Sequence, residues 1–320
     1  ERIEPGSFDR TLAAGADVDK VDAGGHTALA RAAMKGYESI AALLLAYGAN
    51  PEKANHQNQT PLYWAVQNGR AKVVRTLVKA GADPNQKTTE GVSLLLLAIR
   101  GQHGASAKVL LQNGADPKPA GPDGLTPLMW AARLGQARLI PTLLKFGAKV
   151  RELDAENRDA LWFAAEKGDL ATVNLLIKRG ALETREPGVK SPLIEAVAQA
   201  HDSLVQRFIE VVSPINAANE KGNTPLFLAA DRGHAAIAGL LIGQGAQVNV
   251  QNRAGNTPLH LAVKNGHSAV VEVLLAHGAN TAIRNNRKQN AFGLIPKNGE
   301  DIKKIMEANN KSKTWLLDIF

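Results

Sequence analysis

The chain has no cysteine among its 320 residues, and this absence removes several kinds of chemistry at once. Disulfide bonds, thiol nucleophiles and cysteine-ligated metals are all excluded. Long apolar runs are missing too, because no stretch approaches the roughly 18 consecutive apolar residues that a membrane-spanning helix needs. We therefore expect a protein that does not span a membrane.

Sequence motifs of well-known catalytic sites are also absent. The chain contains neither the His-Glu-x-x-His zinc pattern nor the Gly-x-x-x-x-Gly-Lys-Ser/Thr phosphate loop. The Gly-x-Ser-x-Gly pattern of many serine hydrolases does not occur either. These absences predict that the protein is not an enzyme and uses no cofactor or metal.

What the chain does contain is a fixed period. A hydroxyl or acidic residue, called the anchor here, is followed by a helix-like Leu/Ala pattern and returns every 33 residues, with one interval of 32. The anchors are Thr27, Thr60, Ser93, Thr126, Asp159, Ser191, Thr224 and Thr257. A glycine follows 21 residues after every anchor except the sixth. A period of this length indicates stacked copies of one small unit, which favours binding over catalysis.

The eighth unit shows what each copy contains. Thr257 can cap a helix with its hydroxyl, and Pro258 suits the first helical position because its missing N–H costs nothing there. Gly266 then breaks this helix and lets the chain reverse. A second apolar helix follows and ends at Gly278, which fits a left-handed position. The unit is therefore predicted to be two antiparallel helices and a protruding loop, which we call the finger.

These motifs resemble the ankyrin repeat. Thr-Pro-Leu-His-x-Ala begins at Thr257, Gly-His begins at Gly266, and the second helix ends in Gly-Ala-Asn from Gly278. The resemblance implies an all-α ankyrin-repeat solenoid covering nearly the whole chain. We expect a partial N-terminal capping repeat at 1–20, eight repeats at 21–282, and a degenerate capping repeat with an apolar tail at 283–320. It also implies that His234, His260 and His267 support the backbone.

Several segments depart from the repeat. The sixth repeat has Ala200 and Val212 in place of its two glycines and inserts Ser213-Pro214. Pro141 lies inside a predicted second helix and should bend or shorten it. At the end of the chain, Asp301 to Ala308 should form a last second helix. The apolar tail from Trp315 to Phe320 either covers the last repeat or is a docking peptide.

The resemblance also implies where a partner binds, because ankyrin repeats usually contact partners through a concave groove of fingers and first helices. The residues four after successive anchors include Trp64, Leu97, Trp130 and Phe163, spaced about 10 Å apart as packed helices are. The alternative is that these rings only fill contacts between neighbouring first helices. Our predicted partner-binding residues are Trp64, Leu97, Arg100, Trp130, Arg133, Phe163, Glu166, Lys167, Lys190 and Arg232. Trp162 and Tyr63, one position earlier, should pack between repeats.

Charge gives a weaker indication about the partner. The net charge is +8, and the predicted groove carries seven basic residues against four acidic ones. This balance favours a protein partner with an acidic or apolar surface. Nucleic acid is not favoured, because no basic block is interleaved with aromatic residues.

We therefore predict a monomeric, rigid scaffold that holds one protein partner. Two narrower roles stay open: an exported bacterial inhibitor or immunity protein that neutralises a toxic enzyme, and a secreted effector that binds a host protein. The chain begins at Glu1 and lacks cysteine, which is typical of an exported, periplasmic chain. A trimmed cytoplasmic chain explains the same observations.

Overall fold

The computed structural model describes residues 16–182, 188–211 and 214–317. Within these ranges the chain forms 17 α-helices and one 3₁₀ helix, and no β-strand. Isolated antiparallel bridges join Val21 to Thr27 and Lys87 to Ser93, each at the base of a finger. The predicted all-α class is therefore confirmed.

Sixteen of these helices form eight pairs, numbered here as repeats 1 to 8 from Thr27 to Thr257. Every first helix begins at the residue directly after its anchor. The first helices are Ala28–Lys35, Pro61–Gln67, Leu94–Arg100, Pro127–Arg133, Ala160–Lys167, Pro192–Ala198, Pro225–Arg232 and Pro258–Lys264. The second helices are Glu38–Ala46, Ala71–Lys79, Gly104–Gln112, Ile140–Lys145, Leu170–Ile177, Asp202–Glu210, Ala235–Gly243 and Ser268–Ala276.

The anchors explain where the first helices begin. In seven repeats the anchor oxygen accepts a hydrogen bond from the backbone N–H three residues later. Each such cap is worth about 1 kcal/mol, because it satisfies an N–H that the helix leaves unpaired. Thr224 is the exception: its side chain makes no capping bond, and its hydroxyl oxygen is buried without a hydrogen-bond partner among the described residues.

Helix packing forms two compact units. One contains residues 1–155 with 174–181, and the other contains residues 156–173 with 182–320. Within each unit, first helices contact the first helices of neighbouring repeats, and second helices likewise contact second helices. One column of the second helices is fully buried, at 0% exposure: Leu44, Leu77, Leu110, Leu143, Leu176, Phe208, Leu241 and Leu274. This column forms part of the apolar core of each unit, as the sequence pattern predicts.

Pro141 has the predicted effect on its helix. The second helix of repeat 4 has six residues, whereas the other second helices have eight or nine. It begins at Ile140, so Pro141 lies in the first turn, where a missing N–H removes no internal hydrogen bond. The helix is therefore shortened rather than bent.

The described segment after repeat 8 does not form a second pair of α-helices like those of the repeats. Ala291–Leu294 forms the 3₁₀ helix and contacts the first helix of repeat 8. Glu300–Leu317 forms a helix longer than predicted, and its Ile302 and Met306 are buried. The predictions for the N-terminal half-repeat, for Val212 with Ser213, and for the side chains of the apolar tail lie outside the described residues.

Ala200 gives a test of the repeat geometry. Its φ is +57°, in the left-handed region, where Gly266 holds the same position of repeat 8 with φ +80°. Because a Cβ in this conformation costs about 1–2 kcal/mol, Ala200→Gly should raise the free energy of unfolding by about 1 kcal/mol. The matched reverse change is Gly266→Ala, whose Cβ would meet no atom within 4 Å and which should lower stability similarly. Chemical denaturation measures both, and a destabilised Ala200→Gly variant would contradict the assignment.

Candidate functional site

The best-defined cluster of predicted groove residues surrounds Trp130. This half-buried indole donates its Nε1–H to Asp123 Oδ2 at 2.9 Å. Arg100 forms an ion pair with the same carboxylate, and its guanidinium carbon lies 4.6 Å from the centre of the Trp130 ring. The guanidinium carbon of Arg133 lies 5.3 Å from that ring. We call Arg100, Asp123, Trp130 and Arg133 the Trp130 cluster.

The repeat register brings these four residues together. Arg100 and Arg133 both lie seven residues after their anchors, on the neighbouring first helices of repeats 3 and 4. Trp130 precedes Arg133 by three residues, so the two share one face of their helix. Asp123 lies on the finger before repeat 4, and its Oδ1 accepts from the backbone N–H of Leu125 at 3.1 Å. Three separate segments therefore hold the indole in place.

The Trp130 cluster places two guanidinium groups and one carboxylate around the indole. A guanidinium over an indole contributes about 0.5–1 kcal/mol when exposed and about 2 kcal/mol when desolvated. The Nε atom of Arg100 is buried without a hydrogen-bond partner among the described residues. This arrangement offers an oriented aromatic surface with basic groups at its edge, which suits an apolar group beside a carboxylate.

Asp123 was not among the predicted binding residues, although it joins two of them. The family pattern places the residue three before each anchor on the finger, and Asp123 holds that position for Thr126. The register could therefore have identified it. Its role depends on the neighbouring Arg100, which lies 23 residues earlier in the chain.

Trp64 and Leu97 occupy the equivalent positions of repeats 2 and 3, and both are half-buried. The Trp64 ring makes edge contacts with His26, at 5.7 Å between ring centres, and with Tyr63, at 5.2 Å. Its Nε1 is buried without a hydrogen-bond partner in the described part of the chain. Repeats 2, 3 and 4 thus each present one partly accessible apolar side chain at this position.

Phe163 is buried, contrary to its predicted role as a binding residue. Its side chain is 1% exposed, so it belongs to the core and offers no surface to a partner. The guanidinium of Arg158 covers the ring at 4.9 Å, and the neighbouring Trp162 packs edge-on against it at 5.2 Å between ring centres. The prediction that Phe163 anchors a partner is therefore wrong. Trp162 itself is 8% exposed.

The remaining predicted residues lie on the second unit. Glu166 is half-buried and Lys167 is exposed at the end of the first helix of repeat 5. Lys190 and Arg232 line the same cavity of about 520 Å³, beside the fingers and first helices of repeats 6 and 7. Lys190 Nζ is 3.2 Å from Glu156 Oε2, and Arg232 donates to the carbonyl of Ala198.

The histidines have structural surroundings. Nε2 of His103, His201 and His267 lies 3.1, 3.1 and 3.0 Å, respectively, from a backbone carbonyl of the preceding repeat. His260 Nε2 lies 3.1 Å from the Gln289 carbonyl, and its Nδ1 accepts from the Thr257 backbone N–H at 3.1 Å. The predicted backbone support by His260 and His267 is confirmed. Among the described residues, no group of three or more His, Asp or Glu is placed to hold a metal ion.

His260 should make stability depend on pH. Burial lowers its pKa below the ordinary value of 6.5, and its bond to the Gln289 carbonyl opposes this only partly. Burial lowers the pKa of His234 in the same direction. Because the unfolded chain then binds more protons, the stability contributed by these groups is present above about pH 6.5 and is lost as pH falls below it.

The test compares thermal unfolding midpoints at about pH 7.5 and about pH 5.5 for the wild type and His260→Met. Methionine is a suitable replacement, because Met129 holds the same position in repeat 4 and its sulfur lies 3.4 Å from the Thr126 backbone nitrogen. We expect the unfolding midpoint to fall less between the higher and the lower pH in His260→Met than in the wild type. Equal losses in both proteins would contradict the role of His260.

The helix pairs and their fixed period define an all-α repeat protein, and comparison with known protein families identifies which one. The family model described as "Ankyrin repeats (3 copies)" matches residues 6–88, 92–186 and 193–287. The chain belongs to the ankyrin repeat family. It is similar to the crystal structure of the human ASB11 ankyrin repeat domain, with a TM-score of 0.53 and 26% identity, over 77% of this chain and 96% of that one. A search of curated proteins gave no match.

Ankyrin repeats generally act as protein–protein interaction modules, so the family indicates a protein partner. Among the described residues, no helix is both long enough and apolar enough to cross a membrane.

Proposed function

We propose that this chain is a non-catalytic, monomeric scaffold that binds one protein partner in the concave groove formed by its fingers and first helices. The Trp130 cluster is the main anchor. The observation that supports this most is that the indole is partly accessible while Asp123 holds both its N–H and the guanidinium of Arg100 that lies over its ring.

Rigid placement matters because binding costs the freedom of every side chain that it immobilises, at about 0.5–1.5 kcal/mol each. The Asp123 carboxylate and the helix backbone restrain Trp130 and Arg100 before any partner arrives. Tryptophan and arginine are also the residue types most enriched at interface hot spots. A pre-positioned pair of this kind therefore supports a binding anchor over a merely structural role.

The partner's chemistry follows from the groups beside the ring. The guanidinium groups of Arg100 and Arg133 lie next to the apolar surface of Trp130. We infer that the partner presents an apolar side chain with an acidic residue beside it. Such charge complementarity raises the encounter rate and fixes the register more than it raises affinity.

The test is capture of the partner from the cells that produce this chain, with the purified chain as bait and mass spectrometry as readout. The captured protein is then produced separately and mixed with the chain for sedimentation analysis. We expect a monomeric chain that forms a one-to-one complex. A chain that forms no stoichiometric complex with any captured protein would contradict the scaffold. If the partner is an enzyme that the chain blocks, the narrower inhibitor role is supported.

A further inference from the structure

A cavity of about 520 Å³ lies on the second unit, beside the fingers and first helices of repeats 6 and 7. Its larger apolar lining residues are Trp162, Val189, Ile194 and Leu228. The volume falls within the range of about 300–1,000 Å³ that is typical of ligand sites. The cavity therefore has room for more than one side chain, next to an apolar surface.

Three of the lining residues are small. Gly188 lies on the finger before repeat 6, and Ala217 and Ala218 lie on the finger before repeat 7. None of the three carries a side chain larger than a methyl group, so they leave more of the space between the fingers open than longer side chains would.

The charges around the cavity are balanced. Three basic and three acidic residues line it: Lys190, Lys221, Arg232, Glu195, Glu220 and Asp231. Some are already held, since Glu195 accepts from Gln199 Nε2 at 2.8 Å and Asp231 accepts from Asn265 Nδ2 at 2.8 Å. A polyphosphate or nucleic acid needs an excess of basic groups, so this lining does not favour it. A segment carrying both signs of charge is matched better.

We propose that this cavity binds a short extended segment of a protein, with one apolar side chain on Trp162, Ile194 and Leu228 and flanking residues of opposite charge. The proposal rests on the scaffold function and adds a second site, separate from the Trp130 cluster. Asn219 and Asn223 also line the cavity, and their side-chain oxygens accept from the Lys221 backbone N–H and from Asn252 Nδ2, respectively. Their Nδ2–H groups can donate to the C=O groups of an extended segment, which need partners when they lose water.

The test uses a library of randomised displayed peptides selected on the full chain. Enriched sequences are synthesised with a fluorescent label, and their binding is measured by anisotropy. Ala218→Phe fills the cavity, and Ala120→Phe is the matched control, because both alanines are exposed and lie six residues before an anchor. We expect affinity to fall at least about tenfold for Ala218→Phe and to stay unchanged for Ala120→Phe. Thermal unfolding of both variants shows that they are folded.

A second variant keeps the fold and the net charge. The double variant Glu220→Lys with Lys221→Glu exchanges the two charges and alters only their order on the exposed finger. It should also lower the affinity for the selected peptides. Peptides that bind Ala218→Phe as well as the wild type, or that carry acidic residues alone, would overturn the proposal. Trp130→Ala should leave this binding intact. That variant separates the two sites. If Trp130→Ala loses partner binding but still binds the selected peptides, the lost binding belongs to the Trp130 cluster and not to the cavity.

Discussion

Replacing Phe163 with alanine is expected to lower the free energy of unfolding by about 3–5 kcal/mol, the range for deleting a buried phenylalanine ring. The ring is 1% exposed and lies between Arg158 and Trp162, so its removal leaves a cavity that these neighbours cannot fill without moving. In a repeat array each repeat is stabilised by its neighbours. The Phe163→Ala change is therefore expected to destabilise the adjoining repeats as well.

Urea denaturation followed by circular dichroism measures this effect. Leu97→Ala is a useful comparison, because Leu97 holds the equivalent position in repeat 3 and is only half-buried. Leu97→Ala should lower the free energy of unfolding by less than Phe163→Ala does. A Phe163→Ala variant with unchanged stability and weakened partner binding would restore the original sequence prediction that this ring is an anchor.

The second large effect is expected in binding. Trp130→Ala should weaken the partner complex by about 2 kcal/mol, or about 30-fold, as truncation of a hot-spot tryptophan does. The variant removes the apolar surface and the hydrogen bond to Asp123 together. It also removes the ring beside which the guanidinium groups of Arg100 and Arg133 lie, so their positions become less defined.

Calorimetric titration with the captured partner gives the affinity directly. Trp130→Phe retains an aromatic ring without the N–H group, and we expect it to lose less than Trp130→Ala. Asp123→Asn keeps the shape of the finger side chain but removes the charge that pairs with Arg100. The affinity of Asp123→Asn for the partner should lie between those of the wild type and Trp130→Ala. Unchanged affinity in a folded Trp130→Ala variant would contradict the anchor.

The fold was largely predictable because local rules and the repeat period agree. The position of Thr257 and Pro258 predicts a helix start, and the structure begins a first helix after every anchor. Pro141 shortens its helix for a reason that lies entirely in its own backbone. The length of the last helix was not predictable in the same way, because the pattern of the degenerate unit ends near Ala308 while the helix continues to Leu317.

The site was predictable only in part, because burial depends on neighbours that a single column does not include. Trp130 and Phe163 hold the same position in their repeats, yet Phe163 is 1% exposed beside Arg158 and Trp162, whereas Trp130 is only half-buried. Asp123 contributes through its contact with a residue of the preceding repeat. The cavity beside repeat 6 is lined in part by the small residues Gly188, Ala217 and Ala218, whereas motif searches look for side chains that are present.

A crystal structure of the chain with its captured partner would show whether the partner binds over the Trp130 cluster, through the surface of Trp130 that becomes buried in the complex. We expect the half-buried indole to lose its remaining exposure against an apolar side chain of the partner, with an acidic residue near Arg100 or Arg133. A complex that leaves Trp130 as exposed as it is in the unbound chain, or that contacts only the second helices, would contradict binding over this cluster.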